Sequence, residues 1–168
     1  MIKKSLLIVW MLCGQLCLSK AQEATDPNLG IIPVPVAIKT SPGAFKLGTF
    51  VPMQVKGFDN ADLVAFAKNM LSEYTDSRAV DYIKPDVYYQ LIVDNTIKLP
   101  EEGYRLRVSS AGVRIVAKTE RGLFYGLQTL LQLFPQKTGY TESVTLPLVE
   151  IEDYPRYAYR GLHLDVCR

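Results

Sequence analysis

The stretch Thr119–Pro135, TERGLFYGLQTLLQLFP, constrains the chain most. Leu123, Leu127, Leu130, Leu131 and Phe134 recur at helical spacing, so a helix here carries one apolar face. Thr119 is the expected N-cap, because a threonine hydroxyl accepts from a free first-turn N–H. Pro135 ends the helix, since its ring clashes with the preceding turn. Gly122 and Gly126 lie inside this helix, where each costs ~1 kcal/mol against Ala. A missing Cβ permits a helix to approach a sheet closely, and that is the better reading of both glycines. Strand-like segments flank the helix in sequence, so it is expected to be the main cover of a sheet.

The segment just before it supplies the strands. Tyr104, Leu106 and Val108 alternate with Arg105, Arg107 and Ser109. After Ser110-Ala111-Gly112, Val113, Ile115 and Ala117 alternate with Arg114, Val116 and Lys118. Two alternating runs about a Gly-containing turn predict a β-hairpin with one apolar face. The arginines of its polar face could form an anion patch, although a solvated or interdomain face is the commoner fate of such charges. A second helix is expected over Asp59–Tyr74, capped by Asp59 or Asn60. Leu63, Phe66, Ala67, Met70, Leu71 and Tyr74 form its core face. Val87–Val93 is apolar on both faces and reads as a central strand, with its tyrosines as core rather than a sugar platform.

Earlier in the chain, Pro33 and Pro35 cannot donate to a ladder, so Ile31–Gly48 opens as an edge strand or extended arm. Ser41-Pro42-Gly43 reads as a turn, with Ala44–Leu47 and Phe50–Val55 as short strands. Gln136–Ser143 reads as a loop and Val144–Tyr154 as extended. The expected fold class is α+β, a mostly antiparallel sheet with two helices on one face.

Residues 1–21 read as a secretory signal: Lys3 and Lys4, an apolar run from Leu6 to Leu18, then Ser19-Lys20-Ala21. The run is short for a stable membrane span. Residues 22–30 follow as a flexible leader. The whole chain carries 19 Lys and Arg against 17 Asp and Glu. Without Lys3, Lys4 and Lys20 the bases fall one short of the acids, which gives no charge argument for a nucleic-acid partner. Loss of Cys13 and Cys17 leaves Cys167 alone, and an exported chain without an internal disulfide fits a bacterial envelope, periplasmic or extracellular.

The end of the chain, IEDYPRYAYRGLHLDVCR, carries the residues of greatest functional interest. Arg160–Asp165 has strand alternation, and the chain stops inside it. Three pieces resemble β-N-acetylhexosaminidases of glycoside hydrolase family 20. These are the opening IIPVPVAIK, the segment EGYRLRVSSAGVRIVAKTERGLFYGLQTLLQL, and PRYAYRGLHLDV at the junction. The usual motif has Ser where this chain has Cys167. The resemblance implies a non-catalytic domain over 31–152. It also implies a junction over 153–168 that begins the first strand of a truncated (β/α)8 catalytic barrel.

It implies, further, an exo-acting enzyme that removes terminal N-acetylhexosamine from glycans. In that chemistry the 2-acetamido oxygen of the substrate is the nucleophile, with retention of configuration. The Asp-Glu pair that assists it would lie downstream, so no catalytic residue is expected in this chain, and the chain alone should be inactive. Arg160 matches the family arginine that binds hydroxyls of the terminal sugar, a task that suits a guanidinium fork. An interdomain ion pair is its plainer role. Asp165 matches a family position that orients Arg160 or holds the barrel. The expected partners are the glycan and the barrel. No cofactor or metal is expected: His163 stands alone and there is no His-Glu-x-x-His. The rival readings are another N-acetylglucosaminidase family and a free-standing carbohydrate-binding or interaction module.

Overall fold

The computed structural model describes residues 29–47, 52–74, 88–135 and 144–161. The expected signal segment, the leader up to residue 28 and the loop 136–143 lie outside them. So do His163, Asp165, Cys167 and the rest of the expected barrel strand.

Six strands form one sheet: β1 (Ala37–Lys46), β2 (Met53–Lys56), β3 (Tyr88–Val93), β4 (Tyr104–Ser109), β5 (Gly112–Ala117) and β6 (Thr145–Asp153). Their spatial order is β1-β6-β4-β5-β3-β2. The helices are α1 (Ala61–Ser72), between β2 and β3, and α2 (Glu120–Leu133), between β5 and β6. Three of the five strand pairings are antiparallel, as a mostly antiparallel sheet requires, but two parallel pairings make the sheet mixed. β2 pairs parallel with β3, and β3 parallel with β5, while β5-β4, β4-β6 and β6-β1 are antiparallel. Parallel neighbours need a long crossover, usually a helix, and α1 supplies the one between β2 and β3.

Two readings of strand boundaries change. Ser41-Pro42-Gly43 does not turn the chain; β1 runs through it, with a register shift between Ser41 and Ala44. Gly43 takes φ 110°, which side chains rarely adopt, and so lets the strand bulge and continue. Pro147 pairs opposite Ala44 at the same irregularity, where a missing N–H does least harm. Of the expected Phe50–Val55 strand, only Met53 onward lies in β2, with residues 50 and 51 outside the described set. β3 lies inside the sheet as expected, yet buries one face: Tyr89 and Leu91 are buried while Gln90 and Ile92 are half-exposed. β1 is the expected edge strand, and the β4–β5 hairpin has the expected single apolar face.

Both helices are capped as their sequences require. The Asn60 side chain accepts from the Leu63 N–H at 3.0 Å, so Asn60 rather than Asp59 caps α1. The Thr119 hydroxyl accepts from the Gly122 N–H at 3.5 Å at the start of α2. Asn60 also donates to Glu120 at 2.7 Å, joining the two N-terminal ends. Glu120 sits in the first turn of α2, where the helix dipole favours an acid. Phe66 meets Phe124 at 5.5 Å and Tyr74 stacks on Phe134 at 4.2 Å, so the helices lie side by side on one face of the sheet.

The core lies between that face and the helices. Leu123, Leu127, Leu130, Leu133 and Phe134 of the α2 region are buried, and Leu131 of the expected stripe is only half-buried. The helix glycines earn their positions by contact. A Cβ on Gly122 would stand 2.4 Å from the carbonyl oxygen of Gly103, and one on Gly126 would stand 2.6 Å from Cγ2 of Ile115. Among the described residues, no helix is long and apolar enough to cross a membrane.

Candidate functional site

A groove of about 650 Å³ runs alongside α2, between it and the ends of β4 and β6. Three segments make it: the arm 31–36 ahead of β1, the Glu101-Glu102 turn, and the segment 153–161 after β6. Pro33 and Pro35 take the arm out of the sheet, so its remaining N–H groups need other acceptors. The Ile32 N–H donates to Gln132 of α2 at 2.8 Å, and the Val36 N–H donates to Asp153 at 3.1 Å.

Below the arm, a buried polar chain links sheet and helix. The hydroxyls of Tyr104 and Thr129 share a hydrogen bond, and Tyr104 Oη donates to Asp153 Oδ2 at 3.3 Å. A phenol has one hydrogen, so this arrangement is satisfied when Thr129 donates to Tyr104 and Tyr104 to Asp153. Burial, reinforced by the neighbouring Asp153 charge and opposed by the Thr129 bond, holds the Tyr104 hydroxyl well above the ordinary tyrosine range.

Arg160 closes the mouth. Its Nη2 donates to Glu102 Oε2 at 2.6 Å and to Tyr125 Oη at 3.2 Å, and its Nη1 donates to the Tyr157 carbonyl at 3.0 Å. The guanidinium also lies 5.7 Å from the centre of the Tyr125 ring. Hydrogen bonding to Glu102 raises its pKa further above an already high value, so Arg160 stays a cation. Arg160 and Gly161 lack the strand structure expected of them, and the segment 154–161 forms no helix or strand.

Of the two residues given a functional role in the sequence, Arg160 stands in the groove, and Asp165 lies outside the described residues. Glu152 points to the opposite side of the sheet and pairs with Arg105 at 2.6 Å. The sequence patterns single out neither Glu102 nor Tyr125 as a site residue. Their only signal was weak: an acid at the tip of a turn, and an aromatic pair, Phe124-Tyr125, off the core stripe. The groove's carboxylates are engaged, Glu102 by Arg160 and Asp153 by Val36 and Tyr104. This geometry offers hydrogen-bond donors and aromatic surface, including the exposed ring of Tyr157.

The fold and groove define an α+β domain whose polar-mouthed groove lies on its helix side. A family model described as glycosyl hydrolase family 20, domain 2, matches residues 28–154. A beta-hexosaminidase of Porphyromonas gingivalis is 33% identical over 96% of this chain, which spans 22% of that relative's length. A beta-N-acetylhexosaminidase of Cellulomonas fimi is 32% identical over 84% of the chain, which covers 29% of it. The solved GH20 beta-N-acetylhexosaminidase of Streptomyces coelicolor A3(2) superposes with a TM-score of 0.66 at 27% identity, over 80% of this chain and 28% of that one. The chain belongs to glycosyl hydrolase family 20.

Proposed function

We propose that this chain is the domain-2 part of an exo-β-N-acetylhexosaminidase, supporting a (β/α)8 barrel that removes terminal N-acetyl-D-hexosamine from glycans. The observation that carries this is the domain-2 match over 28–154, together with relatives named as hexosaminidases across nearly the whole chain. Substrate assistance makes the acetamido oxygen of the sugar the nucleophile, but the leaving oxygen still needs a general acid. Such an acid is worth ~10²–10⁴-fold. The groove carboxylates already hold Arg160, the Val36 N–H and Tyr104. The chain alone therefore does no glycoside hydrolysis. Its helix-side groove and the exposed Phe124 suit it to receive the barrel.

In that assembly Arg160 binds hydroxyls of the terminal sugar, exchanging its present partners for them. Residues 1–21 direct export to the periplasm or cell exterior and are removed; the Lys3-Lys4 start and the Leu6–Leu18 run support this.

The test is turnover of a chromogenic N-acetyl-β-hexosaminide by three proteins: this 168-residue chain, the longer enzyme, and the longer enzyme carrying Arg160→Ala. The chain should be silent and the longer enzyme active. The variant should lose roughly ten- to a hundredfold in kcat/KM, as when a charged donor to a buried hydroxyl is removed. Turnover by the chain alone refutes the supporting role, and an unchanged variant refutes the role of Arg160.

A further inference from the structure

The face of the sheet turned away from the helices has no covering layer among the described residues. Its central row is read directly from the pairing. Lys39 stands opposite Glu150, Glu150 opposite Arg107, Arg107 opposite Arg114, Arg114 level with Gln90, and Gln90 with Gln54. The neighbouring row brings Glu152 opposite Arg105. Lys39, Arg105, Arg107 and Arg114 thus face two carboxylates. Glu152 takes Arg105 at 2.6 Å and Glu150 takes Arg107 at 3.1 Å. Arg114 has no ionic partner among the described residues, and it sits directly across the ladder from Arg107.

Like charges directly opposite in a sheet destabilise it. An anion between them would reverse the sign of that contact. A shallow recess of about 220 Å³ lies at this point, lined by Arg107, Arg114, Gln90 and Ser109. A second depression of about 440 Å³ shares both arginines and continues toward Lys39. We propose that this open face binds a sulfated glycan, with Arg107 and Arg114 holding one sulfate ester between their two guanidinium groups.

The chemistry favours that occupant. A sulfate ester presents three terminal oxygens and can accept from two forks at once, whereas a carboxylate offers two oxygens in one plane. The Gln90 amide, which donates to Gln54 at 3.0 Å, and the Ser109 hydroxyl, which donates to the Gly112 carbonyl at 3.3 Å, each keep an acceptor oxygen for a sugar hydroxyl. A protein partner would need a pocket for an aromatic or large aliphatic anchor, and apart from its polar side chains the recess is lined only by Ala111, Gly112 and Val113. A nucleic acid would need stacking surfaces and more unpaired cations. The anion site stands without the hexosaminidase reading; only the choice of a sugar as carrier rests on it.

Binding by the whole chain is measured by calorimetry at low and moderate salt. The probes are a chondroitin sulfate hexasaccharide, a hyaluronan hexasaccharide carrying carboxylates only, a single-stranded oligonucleotide and a polyglutamate peptide. The sulfated hexasaccharide should bind about tenfold more tightly than each of the others, and weaken with salt. Arg114→Gln and Arg107→Gln should each reduce that affinity about tenfold. Glu102→Gln, in the groove on the other side, should leave it unchanged. Both arginine side chains are exposed, so the variants should fold, which circular dichroism checks. In the longer enzyme, Arg114→Gln should leave turnover of the neutral chromogenic substrate unchanged, so failure here is distinct from failure of the hexosaminidase reading. No measurable binding of the sulfated probe, equal binding of hyaluronan, oligonucleotide or polyglutamate, or indifference to both arginine variants would overturn the proposal.

Discussion

Ile38, Ile151, Leu106, Ile115, Leu91 and Val55 stand opposite one another from one edge of the sheet to the other. One residue along each strand, Lys39, Glu150, Arg107, Arg114, Gln90 and Gln54 do the same on the opposite face. The first row is aliphatic throughout, and Leu106, Ile115, Leu91 and Ile151 within it are at most 2% exposed. The second is polar throughout. A slip of one residue in any strand would exchange the rows, so their contrast pins the register of the mixed sheet. The rows also hold the fold by different physics. Apolar contacts add up wherever water is excluded. Exposed ion pairs gain little and depend on salt.

The largest expected effect comes from opening the aliphatic side. Leu130 of α2 is fully buried in the core between helix and sheet. Leu130→Ala should cost roughly 2–5 kcal/mol, read from urea unfolding with an unchanged m-value. A smaller loss follows from filling rather than emptying the interface. Gly122→Ala would gain ~1 kcal/mol of helix propensity but force a Cβ against the Gly103 backbone oxygen. Overpacking against backbone outweighs that gain, and a net cost of about 1–3 kcal/mol is expected from the same measurement. A neutral or stabilised Gly122→Ala would show that the helix can lift from the sheet.

These two residues also show what the sequence made legible. Helical spacing, the Thr119 cap and two costly glycines announced α2 and its close approach to the sheet, because all are local signals. Hairpin alternation announced β4 and β5 for the same reason. Parallel pairing of β3 with β2 and β5 has no local signal, since the partners are brought together by a crossover. The bulge at Gly43 was read as a turn because Ser-Pro-Gly serves either purpose. At the groove, resemblance singled out Arg160. Its partners Glu102 and Tyr125 lie 58 and 35 residues away in sequence, beyond any periodicity.

Two tyrosines sharpen the comparison within the buried side itself. Tyr104 is bonded to Thr129 and Asp153, whereas the buried hydroxyl of Tyr89 has no hydrogen-bond partner among the described residues. Tyr104→Phe should therefore cost about 1–2 kcal/mol, and Tyr89→Phe should be neutral or stabilise by up to about 1 kcal/mol. Burial raises the pKa of Tyr89, and burial is also the main cause of the rise at Tyr104. Their contribution is full below the ordinary tyrosine pKa near 10 and is lost as pH climbs through it toward the raised values. Wild-type stability should fall above about pH 10, and each Phe variant should fall less steeply. Equal slopes in all three proteins would remove these tyrosines as the cause.

The smallest effects lie on the polar side, where two neighbouring ion pairs differ in length, in exposure and in the residue across the ladder. Arg105 meets Glu152 at 2.6 Å, with side chains 53% and 39% exposed, and Val116 stands across from it. Arg107 meets Glu150 at 3.1 Å, with both side chains more exposed, and Arg114 stands across from it. The shorter, less exposed pair should couple more strongly, though both should remain under about 1 kcal/mol. Arg107 also carries a repulsion that Arg105 does not, so Arg107→Gln should be close to neutral while Arg105→Gln destabilises slightly. Double-mutant cycles with Glu150→Gln and Glu152→Gln isolate the two couplings. Raising salt shortens the screening length to about 3 Å at 1 M and should shrink both. Replacing Arg114 with Gln should then make Arg107→Gln behave like Arg105→Gln, because the like charge across the ladder is gone. If the two arginines already behave alike with Arg114 in place, the opposition of Arg107 and Arg114 carries no energy, and the polar row is no more than a solvated face.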